Sequence, residues 1–272
     1  MHDRAYRRMA YRPSEIKHAY GKGVHILADP VLVSRLLRLS IPETLSIEGS
    51  LLLKSVYRDL IRVAVAAEFP RTTVSAPTRM ASSEPDAIWS GEVIDPSTLA
   101  VSVGVARAGL LSSQVCYEEM GHFLEPANVR QDFLMCERKT GRGGKVLGAE
   151  VGAAKVGGSY ADRIVLFPDP MGATGGSLDL SVRYVRRRVG GKRIRKIISL
   201  NMVITPEFIR CMQKAHPDVV IYAARLDRGR SSDRALAAMP GKYPREESGL
   251  NDRSYIIPGL GGLGEYLNNA EK

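Results

Sequence analysis

The stretch Arg163-Ile-Val-Leu-Phe-Pro-Asp-Pro-Met-Gly-Ala-Thr-Gly-Gly-Ser177 decides the fold. Its first residues form a short apolar run, Arg163 to Phe167, rich in β-strand formers. Pro168 to Ser177 is glycine- and proline-punctuated, which reads as a tight turn. From Ser177 to Arg188 the spacing becomes helical. A buried strand, a glycine-rich turn and a helix therefore follow one another within about 26 residues.

The same alternation extends in both directions. Leu99 to Ala106 is an apolar β-branched run that stops at Arg107-Ala-Gly109 and gives way to a helical pattern through Glu119. Asp132 to Cys136 is another run, ending at Glu137-Arg138-Lys139. Lys196 to Ile204 and Asp218 to Ala224 are further strands, with a helix from Pro206 to Ala215 between them. Nearer the amino terminus, Leu32, Leu36 and Leu37 mark one helix face, and Ser50, Leu53, Val56, Leu60 and Val63 a second helix, broken by Ile41-Pro42. Pro70 to Pro96 is rich in Ser, Thr and Pro and reads as loop or edge structure. Apolar strands alternating with helices predict an α/β fold, a mainly parallel sheet flanked by helices. Such sheets bind ligands at the carboxyl ends of their strands, where all the glycine-rich and charged turns just quoted fall.

Ala173 to Ser177 offers small residues, two hydroxyls and successive N–H groups at a helix amino terminus, the requirements of a phosphate monoester. The carboxylate of Asp169 stands a few residues before, positioned to accept hydrogen bonds from sugar hydroxyls. The spacing is neither the Gly-x-x-x-x-Gly-Lys-Ser/Thr loop nor the Gly-x-Gly-x-x-Gly turn. On spacing alone it is as often a capped tight turn as a phosphate site.

Composition sets the outer bounds. The chain has 272 residues, 44% hydrophobic and 25% charged, an ordinary globular make-up. Lys plus Arg number 39 and Asp plus Glu 29, a net charge of +10, which points to a polyanionic partner of some kind. The excess is concentrated. Arg183 to Lys196 carries +8 and Met1 to His25 carries +4, so the rest of the chain is slightly acidic. The basic run reads first as a solvated helix end and turn, with RNA binding not the expectation. The first 23 residues read as a loosely ordered basic arm. Cys116, Cys136 and Cys211 are too far apart for a zinc motif and imply reduced thiols in a cytoplasmic protein. No apolar run approaches a membrane span, so no membrane partner is expected. Neither His122 nor His216 has a partner at useful spacing, and both read as structural.

Pro168-Asp-Pro-Met-Gly-Ala-Thr-Gly-Gly-Ser177 closely resembles the loop with which uracil phosphoribosyltransferases bind 5-phosphoribosyl 1-diphosphate (PRPP). Val105-Ala-Arg-Ala-Gly-Leu110 resembles another turn of that family. Ala215-His-Pro-Asp-Val219, Leu226-Asp-Arg-Gly229 and Leu250-Asn-Asp-Arg-Ser-Tyr-Ile-Ile-Pro-Gly-Leu-Gly261 look like its carboxyl-terminal half. The resemblance runs in order from about Val24 to Leu267. It implies a type I phosphoribosyltransferase-like fold, with residues 24–272 as one domain including a hood (225–267) over the base site.

By the same resemblance, Arg107 and Asp169 are the catalytic residues. PRPP is held by Arg107, Arg138, Asp169, Pro170, Met171, Gly172, Ala173, Thr174, Gly175, Gly176 and Ser177, with Asp169 on the ribose hydroxyls and Ala173 to Ser177 on the 5′-phosphate. Arg138 is expected at a strand end, opening a flexible loop. The base is read by the hood, from Tyr255, Ile256, Gly259, Gly261 and Gly262, with the main-chain contacts mapping to Ile256 and Gly261. The implied reaction is pyrimidine salvage: uracil and PRPP give uridine 5′-monophosphate (UMP) and pyrophosphate. Mg²⁺ arrives on PRPP without a direct protein ligand, and the enzyme forms a homodimer or higher homo-oligomer.

Three features depart from the family pattern. Its hood continues Gly-Asp-x-Gly-Asp-Arg, whereas this chain reads Gly261-Gly-Leu-Gly-Glu-Tyr266, so Gly262 replaces the carboxylate that serves the PRPP–metal site. Arg230 to Ser248 reads as an insertion before the hood. Glu137 to Tyr160 reads as a Gly- and Lys-rich loop in place of an acidic one. These departures motivate two alternatives: a catalytically weak homologue with a nucleotide- or RNA-binding regulatory role, or a phosphoribosyltransferase with altered base specificity.

Overall fold

The computed structural model describes residues 4–140 and 146–267. The chain opens with β1 (Val24–Ile26), α1 (Pro30–Ser40) and α2 (Ser46–Glu68), followed by β2 (Arg71–Pro77) and β3 (Ile88–Ile94). Then come β4 (Ala100–Ala106), α3 (Gly109–Met120), β5 (Val129–Thr140), β6 (Val146–Lys155), β7 (Ile164–Pro168) and β8 (Met171–Gly172). The remainder is α4 (Gly176–Arg186), β9 (Lys196–Ile204), α5 (Pro206–Ala215), β10 (Val220–Leu226), α6 (Asp233–Leu236) and α7 (Leu263–Leu267).

The main sheet has strand order β1-β10-β9-β7-β4-β5-β6, with β8 alongside the end of β9. All pairings are parallel except β5 with β6. β2 and β3 form a separate antiparallel hairpin, the edge structure that the Ser/Thr/Pro-rich stretch predicts.

Period-two alternation distributes the strand side chains between two cores. From β9, Ile198, Leu200 and Met202 pack with α1, α2 and α3, while Ile197 packs with α4 and α5. α2 presents Leu53, Val56, Tyr57, Leu60, Ile61 and Ala64 to the first core, all essentially inaccessible. Each such large side chain contributes roughly 1.5–3 kcal/mol by leaving water. α1 begins where it does because Asp29 accepts from the N–H groups of Val31 (2.8 Å) and Leu32 (3.2 Å) with Pro30 at the first helical position. Thr205 caps α5 in the same way, accepting from Phe208 N–H at 3.0 Å.

Five expectations change. Leu37 does not share the buried face of α1: it is 62% exposed, and Leu39 packs with Leu32 and Leu36 instead. The strand read as ending at Glu137 continues through Thr140, because β6 supplies an antiparallel partner, pairing Arg138 with Ala149. Most of Glu137 to Tyr160 is therefore hairpin, not loop. The arm is tied to the body: Ile16 N–H donates to Ile26 O (3.0 Å) and Ala19 N–H to Pro240 O (2.8 Å). His216 does have a partner, its Nε2 lying 2.8 Å from Asp179 Oδ1 between α5 and α4.

The stretch Arg230 to Ser248 is folded around a buried carboxylate. Glu247 accepts from Tyr20 Oη (2.5 Å), Arg228 Nη1 (2.9 Å) and Gly241 N–H (2.8 Å). It thus joins the arm to the end of β10.

Candidate active site

The carboxyl ends of β4, β7 and β9 converge. α3 starts directly beneath the end of β7, where Ser112 Oγ donates to Pro168 O (2.6 Å). A Cβ on Gly109 would stand 3.2 Å from that same carbonyl, so the Arg107-Ala-Gly turn can approach the loop after β7 closely only with glycine there. The turn and the loop are thereby braced as one unit. The Ala106–Arg107 peptide is cis.

Asp169 is held by its backbone. Its N–H donates to Phe167 O (3.1 Å) and Leu200 O (3.0 Å), and its carbonyl accepts from Asn201 Nδ2 (2.6 Å). Burial pushes its carboxyl up to about 6, against a smaller opposing effect of the Met171 N–H. Beyond it, β8 pairs with β9 through Met171 and Gly172. Thr205 clamps the other end, its N–H donating to Gly172 O (3.1 Å) and its Oγ1 to Ala173 O (2.6 Å).

Gly175 has φ +85°, and a Cβ there would lie 2.9 Å from Cys211 Cβ and Sγ. Only glycine satisfies both conditions without moving α5. Among the described residues, the N–H groups of Thr174, Gly175, Ser177 and Leu178 have no acceptor within the protein. Four free donors at the amino terminus of an 11-residue helix form a ready anion cradle.

The second half of the site is the hood. Tyr255, Ile256, Ile257, Pro258, Gly261, Gly262 and Glu265 enclose, with Arg107, a cavity of about 610 Å³. The hood is fixed from behind by Asp227, which forms a two-point ion pair with Arg225 (2.7 and 2.9 Å) and accepts from Gly259 N–H (2.8 Å). Gly259 therefore shapes the turn behind the wall, with φ +66°, instead of lining the cavity. In contrast, the N–H and carbonyl of Ile256 and the N–H of Gly261 make no hydrogen bond among the described residues. Gly261 has φ +70°.

Glu265 is the residue that sequence reasoning did not use. Its Oε1 accepts from Arg107 Nη2 at 2.8 Å, linking α7 to the turn after β4. Gly262 stands next to it, with a Cβ position 3.1 Å from Glu265 Oε2. Tyr266, in place of the family's arginine, donates to Thr44 O and Leu45 O (2.7 Å each), anchoring α7 on the amino end of α2.

The structure thus brings Arg107 together with Tyr255, Ile256, Gly261 and Gly262 around one cavity. The Asp169 to Ser177 cradle does not line it; it is braced against the turn that carries Arg107 through Pro168 O, which lies on Ser112 and Gly109. No residue of Arg230 to Ser248 lines the cavity either. The backbone of Arg138 lies in β5, and its side chain lies outside the described residues. The Leu226-Asp-Arg-Gly229 motif carried the signal for Asp227, although its bracing role needs the fold to be seen.

A mainly parallel sheet with a glycine-rich turn of free amides after one strand, a basic turn after its neighbour and a hood over that basic turn is an arrangement of the type I phosphoribosyltransferase fold. The sequence model of uracil phosphoribosyltransferase matches residues 56–241, and the chain belongs to that family. It is 34% identical over 125 residues to the uracil phosphoribosyltransferase of Campylobacter fetus subsp. fetus (strain 82-40), covering 46% of this chain and 48% of that protein. It is 36% identical over 113 residues to that of Lactococcus lactis subsp. lactis (strain IL1403), covering 42% and 43%. The matches span about half the length of these curated relatives. In fold, the chain is similar to the AQ2163 protein from Aquifex aeolicus, with a TM-score of 0.66 and 20% identity over 90% of this chain and 97% of that one.

Proposed function

We propose that the protein transfers the 5-phosphoribosyl group of PRPP to uracil, giving UMP and pyrophosphate. The observation that carries this reading is the free main-chain edge of the hood facing the same cavity as Arg107. A uracil edge presents alternating acceptors and a donor. The unpaired N–H and carbonyl of Ile256 and the N–H of Gly261 can complement it, and fixed peptide groups would reject cytosine.

The rest of the reaction follows from charge. The 5′-phosphate sits on the Thr174 to Leu178 amides, and Asp169 accepts from the ribose hydroxyls. The C1′–O bond breaks, the electron pair leaves with pyrophosphate, and Arg107 stabilises that negative charge. Uracil N1 forms the new bond to C1′, and its proton passes to the departing pyrophosphate or to solvent. No protein nucleophile is required.

Among the described residues, no three His, Cys, Asp or Glu side chains converge to hold a metal by themselves. The donor present at the cavity is one hard carboxylate, Glu265, which suits Mg²⁺ bound mainly by substrate phosphates and water. Bound in that way, Mg²⁺ would neutralise pyrophosphate charge. Gly262→Asp adds a second carboxylate. It is expected to raise turnover, and no rise would show that the missing Asp is not what limits the enzyme.

We also propose a cytoplasmic homo-oligomer. Val33, Leu37, Ile41, Leu45, Ile47 and Leu51 leave an exposed apolar row along α1 and the start of α2, a face that a second copy would cover. The cysteines are free, and among the described residues no helix is long and apolar enough to cross a membrane.

The deciding experiment supplies PRPP, Mg²⁺ and a panel of bases and follows nucleotide and pyrophosphate. UMP formed from uracil alone is the expected result. Product from another base only would move the specificity, and no product from any base would remove the enzyme reading.

A further inference from the structure

Most of the excess positive charge is not at the active site. It lies in two segments far apart in sequence, Met1 to His25 and Arg183 to Lys196, and the fold brings residues 11–25 of the first near the second. The turn precedes β9 at the amino ends of the strands, and the arm runs antiparallel along the edge strand β1 to Lys22, just before that strand begins, whereas the cavity at Arg107 follows the carboxyl end of β4.

Between α4 and β9 the chain turns through Gly190 and Gly191, with φ +56° and +82° and open space around both. This turn walls a depression of about 570 Å³ lined by Arg186, Lys192, Arg193, Arg195 and Lys196. The arm walls a second depression of about 940 Å³, with Arg12, Lys17 and Lys22 beside the rings of Tyr11 and His18. A chain of contacts joins the two. Lys196 Nζ donates to Glu68 Oε2 (2.6 Å), Tyr222 Oη donates to Glu68 Oε1 (2.7 Å), and Tyr222 stacks on His25 at 4.4 Å.

Eight cations and three carboxylates line this combined surface. The three carboxylates are already engaged: Asp218 by Arg186, Glu68 by Lys196 and Glu15 by His25. Arg12, Lys17, Lys22, Lys192, Arg193 and Arg195 form no ion pair among the described residues.

We propose that this end of the molecule binds single-stranded nucleic acid. Unpaired cations along concave surfaces match a phosphate backbone, and interleaved rings give bases a stacking face. An acidic bilayer fits less well. Peripheral membrane binding draws on inserted apolar side chains; on the turn Val189 and Ile194 are half-buried, and Ile16 is the one exposed large aliphatic side chain lining the arm's depression. The two depressions share no lining residue with the cavity at Arg107, so the surface is distinct from the PRPP site.

The test is fluorescence anisotropy of the full chain with a labelled 20-mer of oligoadenylate, which carries no uracil, across a salt series. Binding should weaken steeply with salt. K192A/R193A/R195A should lose at least about tenfold in affinity and lower the salt slope by about 2, since each single-strand phosphate contact contributes about 0.7. R12A/K17A/K22A should give a similar loss. All six residues are exposed or near the surface, and an unchanged melting temperature confirms that the variants fold. No binding at low salt, or binding that neither variant weakens, would overturn the proposal. So would displacement of the oligonucleotide by PRPP, which would place it at the active site. Inorganic polyphosphate binding as tightly as the oligonucleotide would exclude base stacking, and tighter binding to phosphatidylserine vesicles would assign the surface to a membrane.

Discussion

On the two proposals, the two ends of the sheet bind negative charge by opposite means. At the carboxyl end, anion binding rests on backbone: four free amides at the start of α4, held in place by Gly175, Thr205 and β9. Arg107, the one Lys or Arg lining the cavity there, is already countered by Glu265. At the amino end the donors are flexible Lys and Arg side chains on an open glycine turn and an arm. Net charge therefore locates the wrong end for catalysis. A phosphate that must sit at a fixed distance from a reacting carbon needs preorganised dipoles, which add nothing to formal charge.

Arg107→Ala should separate the two ends most sharply. Loss of the group that stabilises departing pyrophosphate is expected to lower product formation by about 10²–10³-fold. Arg107 is more than half exposed, so the melting temperature should barely move. Oligonucleotide binding should also stay unchanged. If it fell in parallel with product formation, the two ends would not be independent sites.

Gly175→Ala examines the claim that backbone shape does the work at the carboxyl end. Alanine at φ +85° with Cys211 2.9 Å away is expected to cost about 1–3 kcal/mol, read as a lower melting temperature. PRPP binding, measured by calorimetry, should weaken by tenfold or more as the cradle distorts. The comparable change at the amino end, Gly190→Ala, meets no atom within 4 Å and should leave PRPP binding alone.

Asp169 supplies a pH signature that the amino end lacks. Its carboxyl titrates near 6 in the fold because burial disfavours the charge. As the acceptor for ribose hydroxyls it works ionised, so PRPP affinity should fall as pH drops through about 6. Folding stability runs the other way. The folded carboxyl holds its proton over a window in which the unfolded one is ionised, so its contribution declines as pH rises from 3.8 to about 6. Asp169→Asn should abolish both dependences and weaken PRPP by roughly tenfold, the size of one charge-assisted hydrogen bond.

The strand–turn–helix order was legible because apolar β-branched runs and glycine punctuation are local signals. Lys196–Ile204 and Pro206–Ala215 needed nothing else. β5 was misjudged because its charged end, Glu137 to Lys139, reads as a stop unless the distant partner β6 is known. Leu37 was misplaced because two adjacent leucines give helical phase an ambiguity that only packing resolves. The Asp169 to Ser177 stretch was legible as a glycine-rich turn opening a helix, whereas its clamp at Thr205 and the hood's anchor at Asp227 are contacts between segments that sequence spacing cannot join. The convergence of arm and basic turn was invisible for the same reason.

Glu265 offers the finest test of how the cavity keeps its lining cation, Arg107. Its carboxylate holds Arg107 at 2.8 Å, both lining the cavity that the proposed reaction assigns to PRPP. The arginine of this pair is 58% exposed and the glutamate 37%, and exposed pairs are worth about 0–1 kcal/mol. Glu265→Gln keeps a hydrogen-bond acceptor but removes the competing charge. PRPP should then bind up to about fivefold more tightly, the equivalent of that energy, if displacement of the carboxylate is the dominant effect. If Glu265 instead acts on the metal-bound substrate, the same variant should weaken PRPP, and more so with Mg²⁺ than without. Calorimetric titration of PRPP into both proteins, with and without Mg²⁺, reads the sign directly. Tighter binding in both conditions means that Arg107 is released from Glu265 on substrate entry, so that even the cation at this end is preset by the fold before the anion arrives.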